Sequence, residues 1–176
     1  GPGAMNMVAA SATAFANRLP ALFLPGDIFA TRSPDPVLQQ IEHFGDPNIS
    51  VNDCFKPVSR YYDRINLPEQ LLSSLPQAVN TLCDPVNCGP VTLALPQDSQ
   101  TFAFDYPDSF FEEKVWVLRR QIPDNLELQK AAELIKKAKR PFIIAGGGVH
   151  YSFATDELNS FAKAFKIPVS ETQAGK

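Results

Sequence analysis

The 176-residue chain is 44% hydrophobic and 20% charged, ordinary values for a soluble globular protein with a real core. A net charge of −3 and the absence of a basic stripe argue against a nucleic-acid surface, and no run approaches the roughly 20 apolar residues of a membrane helix. Cys54, Cys83 and Cys88 are odd in number and lack the paired spacing of a zinc site, so reduced thiols in a cytoplasmic protein are expected.

The chain opens in a glycine turn, Gly1-Pro2-Gly3-Ala4-Met5-Asn6, and closes in another, Thr172-Gln173-Ala174-Gly175-Lys176. These ends suggest an internal piece of a larger enzyme, with a protease scar at Gly1-Pro2 as the alternative. Met5 to Arg18 predicts a helix with small side chains nearly all round, suited to close contact with a sheet or a second subunit. Ala21 to Leu24, between Pro20 and Pro25-Gly26, fits a strand buried on both faces. After a loop from Thr31 to Pro36, Val37, Leu38, Ile41 and Phe44 recur at helical spacing until Gly45-Asp46-Pro47. Asn48 to Asn52 predicts a short strand, and Phe55 to Tyr62 a short helix or turn. Leu71, Leu72, Leu75, Val79 and Leu82 define a helix over 67–82 that Pro76 interrupts. Val91 to Leu95 is the next buried strand.

From Gln97 to Pro123 periodicity fails and prolines alternate with aromatics, including Phe102, Phe104, Tyr106, Phe110, Phe111 and Trp116. Disordered linkers are poor in aromatics, so a connector with rings docked in surface grooves is expected. Asp124 with Glu127 predicts a capping box for a helix burying Leu128, Ala131, Leu134, Ile135 and Ala138, with basic residues at its C-terminal end. Phe142 to Ala145 is a strand and Gly146-Gly147-Gly148 a tight turn. Leu158, Phe161, Ala162 and Phe165 mark another helix, and Ile167 to Ser170 another strand. Helices alternating with short apolar strands imply an α/β protein whose parallel sheets are covered on both faces.

Single motifs carry little chemistry. Gly146-Gly147-Gly148 lacks the spacing of a dinucleotide fingerprint, because Tyr151 stands where its last glycine belongs. Ala174-Gly175-Lys176 is like the end of a phosphate-binding loop, but Ser170 replaces the earlier glycine. His43 sits among polar residues and reads as solvated. His150 and Asp27 each fall at the carboxyl end of a strand, where open α/β sheets bind ligands. For His150 a loop residue without a role is the simpler reading. For Asp27 it is a turn-stabilising carboxylate, with ligand or subunit contact as the other. No paired carboxylates, nucleophile–base spacing or metal cluster is evident.

The longer strings say more. Gly1-Pro2-Gly3-Ala4-Met5-Asn6-Met7 resembles a turn in the pyrimidine-binding domain of thiamine-diphosphate enzymes, with Met5 in place of Thr. Leu24 to Arg32, Pro34 to Gln40, Tyr61 to Ile65, Leu95 to Asp98, Asp105-Tyr106-Pro107 with Phe110-Phe111, Ala145 to Val149 and Glu171 to Lys176 follow in order. Together they resemble the trihydroxycyclohexanedione acylhydrolase branch of that superfamily, which acts in inositol catabolism.

The resemblance implies three α/β domains in a dimeric or tetrameric enzyme using thiamine diphosphate and magnesium. Residues 1–100 would be the later part of the pyrimidine-binding domain, 101–120 a connector, and 121–176 the start of a Rossmann-like central domain. The activating glutamate is expected before Gly1 and the magnesium motif after Lys176. The implied reaction is hydrolytic C–C cleavage of a small cyclic dione, with the cofactor as electron sink. Gly1 and Gly3 are expected to let backbone approach the cofactor and Asn6 to hydrogen-bond locally; Met5 brings no hydroxyl. No residue of the chain is expected to be catalytic. The chain alone is expected to bind no cofactor and to self-associate. Two alternatives are an acetolactate-synthase-like carboligase and a non-catalytic nucleotide-binding domain built on the turn at 146.

Overall fold

The computed structural model describes residues 1–31, 41 and 43–176. They form two compact units, Gly1–Leu118 and Arg119–Lys176. Both are α/β, with parallel strands and helices.

In the first unit a short 3-10 turn, Pro2–Ala4, runs straight into helix α1 (Met5–Asn17). The helix stops at Arg18, which adopts the left-handed conformation (φ 56°), and the Leu19 amide returns to the Ala14 carbonyl. Strands β1 (Leu22–Phe23) and β2 (Gly26–Asp27) follow, then a 3-10 helix over Val51–Val58 and strand β3 (Tyr61–Arg64). Helix α2 (Leu71–Leu82) and strand β4 (Val91–Pro96) complete the sheet.

β4 is the centre, pairing in parallel with β1 and β2 on one side and with β3 on the other. β1 and β2 keep one continuous register along β4, so they are two halves of one strand interrupted at Leu24-Pro25. One face of the sheet packs Val91, Leu93 and Ile65 against Ala78, with Leu71, Leu75 and Leu82 of α2 closing over them. The other face carries Phe23, Thr92 and Arg64, which alternation sends to the opposite side. There Phe55 of the 3-10 helix, fully buried, meets the Phe23 ring at 6.1 Å, and Ser59 bonds Thr92 at 2.8 Å.

Several expectations change. The strand at Ala21 to Leu24 is not buried on both faces: among the described residues it pairs only with β4, and Leu22 is 44% exposed. Asn48 to Asn52 is not a strand but a turn leading into the 3-10 helix, because Ser50 and Asp53 form a capping box that fixes a helical start. The helix or turn expected at Phe55 to Tyr62 covers only part of that element, and Tyr61–Arg64 becomes a strand through its pairing with β4. Pro76 lies inside α2 without ending it. The helix expected through Val37, Leu38, Ile41 and Phe44 lies largely outside the described residues. In the aromatic stretch, Tyr106 stacks on Phe110 while Phe104 and Phe111 meet these rings edge-on, and the Tyr106 hydroxyl donates to the Pro68 carbonyl at 2.7 Å.

The second unit contains α3 (Asn125–Lys137), β5 (Ile143–Ala145), the short α4 (Gly148–Tyr151), α5 (Thr155–Phe165) and β6 (Val169–Glu171), with β5 and β6 paired in parallel. Asp124 caps α3 by accepting from the Leu126 amide at 2.8 Å; Glu127 returns no bond, so the box is half formed. The two-stranded sheet is covered on one face only: Ala145 is buried and Ile144, one residue earlier, is 68% exposed.

Candidate functional site

The carboxyl ends of parallel strands leave backbone groups without ladder partners, and open α/β sheets bind ligands there. In the first unit this end holds a cleft of about 480 Å³ lined by Gly1, Pro2, Gly3, Ala4, Met7 and Gly26. Residues 1–4 supply one wall through the 3-10 turn, closed by the Ala4 amide donating to the Gly1 carbonyl at 3.0 Å. Met7 joins them because it lies one helical turn beyond Gly3. Gly26 supplies the opposing wall from β2.

Neither Gly3 nor Gly26 needs to be glycine for the chain's own sake. No glycine has a positive φ, and a Cβ at either position meets nothing within 4 Å. Their missing side chains instead leave open space in the cleft. A flat group approaching the backbone fits such walls, whereas a charged group finds no charged side chain among the lining residues.

Behind Gly26 lies a polar network on the sheet face that carries Phe55. The Asp27 carboxylate is buried and accepts from Arg64 Nε at 2.7 Å, the Ile28 amide at 2.8 Å and the Ser50 hydroxyl. The Arg64 Nη2 also donates to Asp53 at 2.8 Å and to the Tyr62 hydroxyl at 3.3 Å. Asp53 takes further bonds from the Ser50 amide and Lys56 Nζ, both at 3.1 Å. Asn52 is fully buried and donates from Nδ2 to the Gly26 carbonyl at 2.8 Å. Asp98 accepts from the Ala30 and Thr31 amides and the Thr31 hydroxyl, tying the segment after β2 to the end of β4.

The electrostatics follow from these contacts. Burial would raise the Asp53 pKa, but its bonds to Ser50 and Lys56 and the Arg64 charge outweigh this and hold it below the ordinary carboxylate value. Burial pushes the Tyr62 phenol well above its usual range. Burial alone would lower the Arg64 pKa; the Asp27 bond and charge reverse the sign and keep the guanidinium charged.

Gly1 and Gly3 therefore line the cleft, while the Asn6 side chain is exposed on the first turn of α1 and outside the lining. Asp27 is an internal ion-pair partner. Met7 and Gly26 were not singled out from sequence, although the Gly3-to-Met7 spacing was a signal for one of them. Asp27 and Asp53, which nothing in the sequence pairs, share Arg64 as ion-pair partners. Distance along the chain hid them.

In the second unit the glycine turn is filled by the chain itself. A Cβ on Gly175 would stand 2.3 Å from the Ala145 carbonyl oxygen, and one on Gly147 3.1 Å from that of Ala174. The His150 ring bonds the Gly175 carbonyl at 3.0 Å, locking the two strand ends together. His43 is exposed. Among the described residues no cluster of His, Cys, Asp or Glu suits a metal ion, and no helix is long and apolar enough to cross a membrane.

Residues 128–176 match the family described as thiamine pyrophosphate enzyme, central domain. Over its whole length the chain is 53% identical to proteins named 3D-(3,5/4)-trihydroxycyclohexane-1,2-dione hydrolase from Bacillus cereus (strain AH820), Bacillus anthracis and Bacillus thuringiensis (strain Al Hakam). It spans 27% of the length of each of these relatives.

Proposed function

We propose, from the premise that this chain belongs to the thiamine-diphosphate enzyme superfamily, that it forms part of a hydrolase opening a cyclic trihydroxy-dione by C–C cleavage. The observation that carries the reading is the 53% identity over all 176 residues to hydrolases named for that substrate. The cleft fits the cofactor's flat heterocycle, since Gly3 and Gly26 leave the space that side chains would fill.

When bound, thiamine diphosphate supplies a carbanion that adds to a carbonyl and a ring that accepts the electrons of the broken bond. This chain's own residues bind and orient. Gly1 and Gly3 would let backbone approach the ring, Met7 would add an apolar edge, and Asn6, outside the lining, would hydrogen-bond locally. Residues 1–100 form the later part of a pyrimidine-binding domain, 101–120 a connector and 121–176 the start of a central domain. The activating carboxylate, the magnesium ligands and a homo-oligomeric partner belong to the whole enzyme, which works in the cytoplasm.

The test is an assay of the full-length protein with the cyclic dione and, separately, with pyruvate. Dione hydrolysis dependent on thiamine diphosphate and magnesium is the expected result. Pyruvate condensation without dione hydrolysis would overturn the reading in favour of a carboligase.

A further inference from the structure

Gly26 is the one cleft-lining residue outside the first helical segment, and its backbone has an unusual set of partners. In a parallel ladder, successive residues direct their carbonyls to opposite sides. The Leu95 amide on β4 takes the Pro25 carbonyl at 2.9 Å, so the Gly26 carbonyl points away from β4, toward the edge where no strand pairs with β2 among the described residues. The partner it finds there is a side chain, Asn52 Nδ2. β2 is only two residues long, and Gly26 has no side chain to anchor it by packing. Its position is set by Asn52 on one side and, one residue on, by Asp27 in the Arg64 network.

Asn52 itself is costly to keep. Its side chain is fully buried, and its Oδ1 has no hydrogen-bond partner among the described residues. A buried acceptor without a partner is unfavourable, so an aliphatic residue would serve packing at least as well. What Asn52 contributes that such a residue lacks is the bond to Gly26.

We propose that Asn52 is a positioning residue: by holding the Gly26 carbonyl it sets the wall of the glycine cleft that faces residues 1–4, and thereby the fit of the cleft to thiamine diphosphate. This rests on the reading that the cleft is a cofactor-facing surface. Asn52 touches no cofactor; it acts through Gly26.

The experiment uses the full-length protein with thiamine diphosphate and magnesium ion, read by titration calorimetry and by kcat against cofactor concentration. Asn52→Leu keeps the branched heavy-atom skeleton and removes the donor, and Asn52→Ser keeps a donor too short to reach Gly26. Ser74→Ala is the control: it removes a buried hydroxyl that bonds Asp63 on the opposite sheet face, away from the cleft. The expected result is that both Asn52 variants bind the cofactor about tenfold or more weakly, the range seen when outer-shell partners of a site are removed, with kcat at saturating cofactor nearly unchanged. Ser74→Ala is expected to lower thermal stability without changing the cofactor affinity. If Asn52→Leu does not fold, Asn52→Ser alone decides. Wild-type affinity in a folded Asn52 variant overturns the proposal while leaving the reading of the cleft intact. Equal weakening in Ser74→Ala overturns it too, by showing a general effect of stability. A wild-type protein that binds no thiamine diphosphate overturns both.

Discussion

Removing the Arg64 guanidinium leaves the Asp27 carboxylate, whose side chain is 1% exposed, without its cationic partner. The Ile28 amide and Ser50 hydroxyl remain, but two neutral donors do not neutralise a buried charge. Breaking a buried ion pair from one side typically costs about 3–5 kcal/mol, and Arg64→Met keeps most of the side-chain volume, so the cavity contribution is small. Asp53 loses less, because it is partly exposed and retains Lys56 and the Ser50 amide. Scanning calorimetry and urea denaturation of the full-length protein measure the loss. A cycle with Asp27→Asn isolates the pair, and a coupling of about 2–3 kcal/mol is expected. A loss under about 1 kcal/mol in Arg64→Met, or strict additivity in the cycle, would refute the view that this pair holds the sheet end together. The pH dependence follows from the same contacts. The folded pKa of Asp53 lies below its ordinary value of 3.8, so its contribution is complete above that pH and lost as pH falls through the folded value. Arg64→Met removes one cause of the lowering and should flatten the stability profile below about pH 4.

Asp98→Ala removes an acceptor of three bonds from Ala30 and Thr31; a loss of about 2 kcal/mol is expected in urea denaturation. Gly175→Ala puts a methyl group against the Ala145 carbonyl, costing about 1–3 kcal/mol or more, whereas Gly148→Ala meets nothing and should leave Tm unchanged. Gly3→Ala and Gly26→Ala should keep the fold, since neither new methyl meets protein, yet weaken thiamine diphosphate binding in calorimetry. The isolated 176-residue chain should self-associate in sedimentation velocity, because an apolar groove of about 420 Å³ between α3 and α5 leaves Leu128, Ile135 and Phe165 exposed. A concentration-independent monomer would contradict this.

Local chemistry was readable without coordinates. The α/β alternation, α1, α2, β4 and, after Asp124, α3, β5, α5 and β6 follow from apolar spacing, caps and glycine punctuation, which act over a few residues; the short α4 does not, and Leu128, Ala131, Leu134, Ile135 and Ala138, expected to be buried on α3, are exposed. The turn at Gly1–Ala4 was legible too, from Gly-Pro-Gly directly before an alanine-rich helix. What failed had its cause far along the chain. Tyr61–Arg64 became a strand only by pairing with β4, and Asn48 to Asn52 lost its strand to a cap between Ser50 and Asp53. The exposure of Leu22 on β1 and of Ile144 on the two-stranded sheet depends on how many neighbours each strand has, which periodicity does not encode. The Asp27–Arg64–Asp53 network and the Asn52–Gly26 bond join residues 11 to 37 positions apart. Only packing brought these groups within hydrogen-bond reach, since a buried charge or carbonyl draws its partner from whatever the fold places beside it, and sequence spacing holds no record of that.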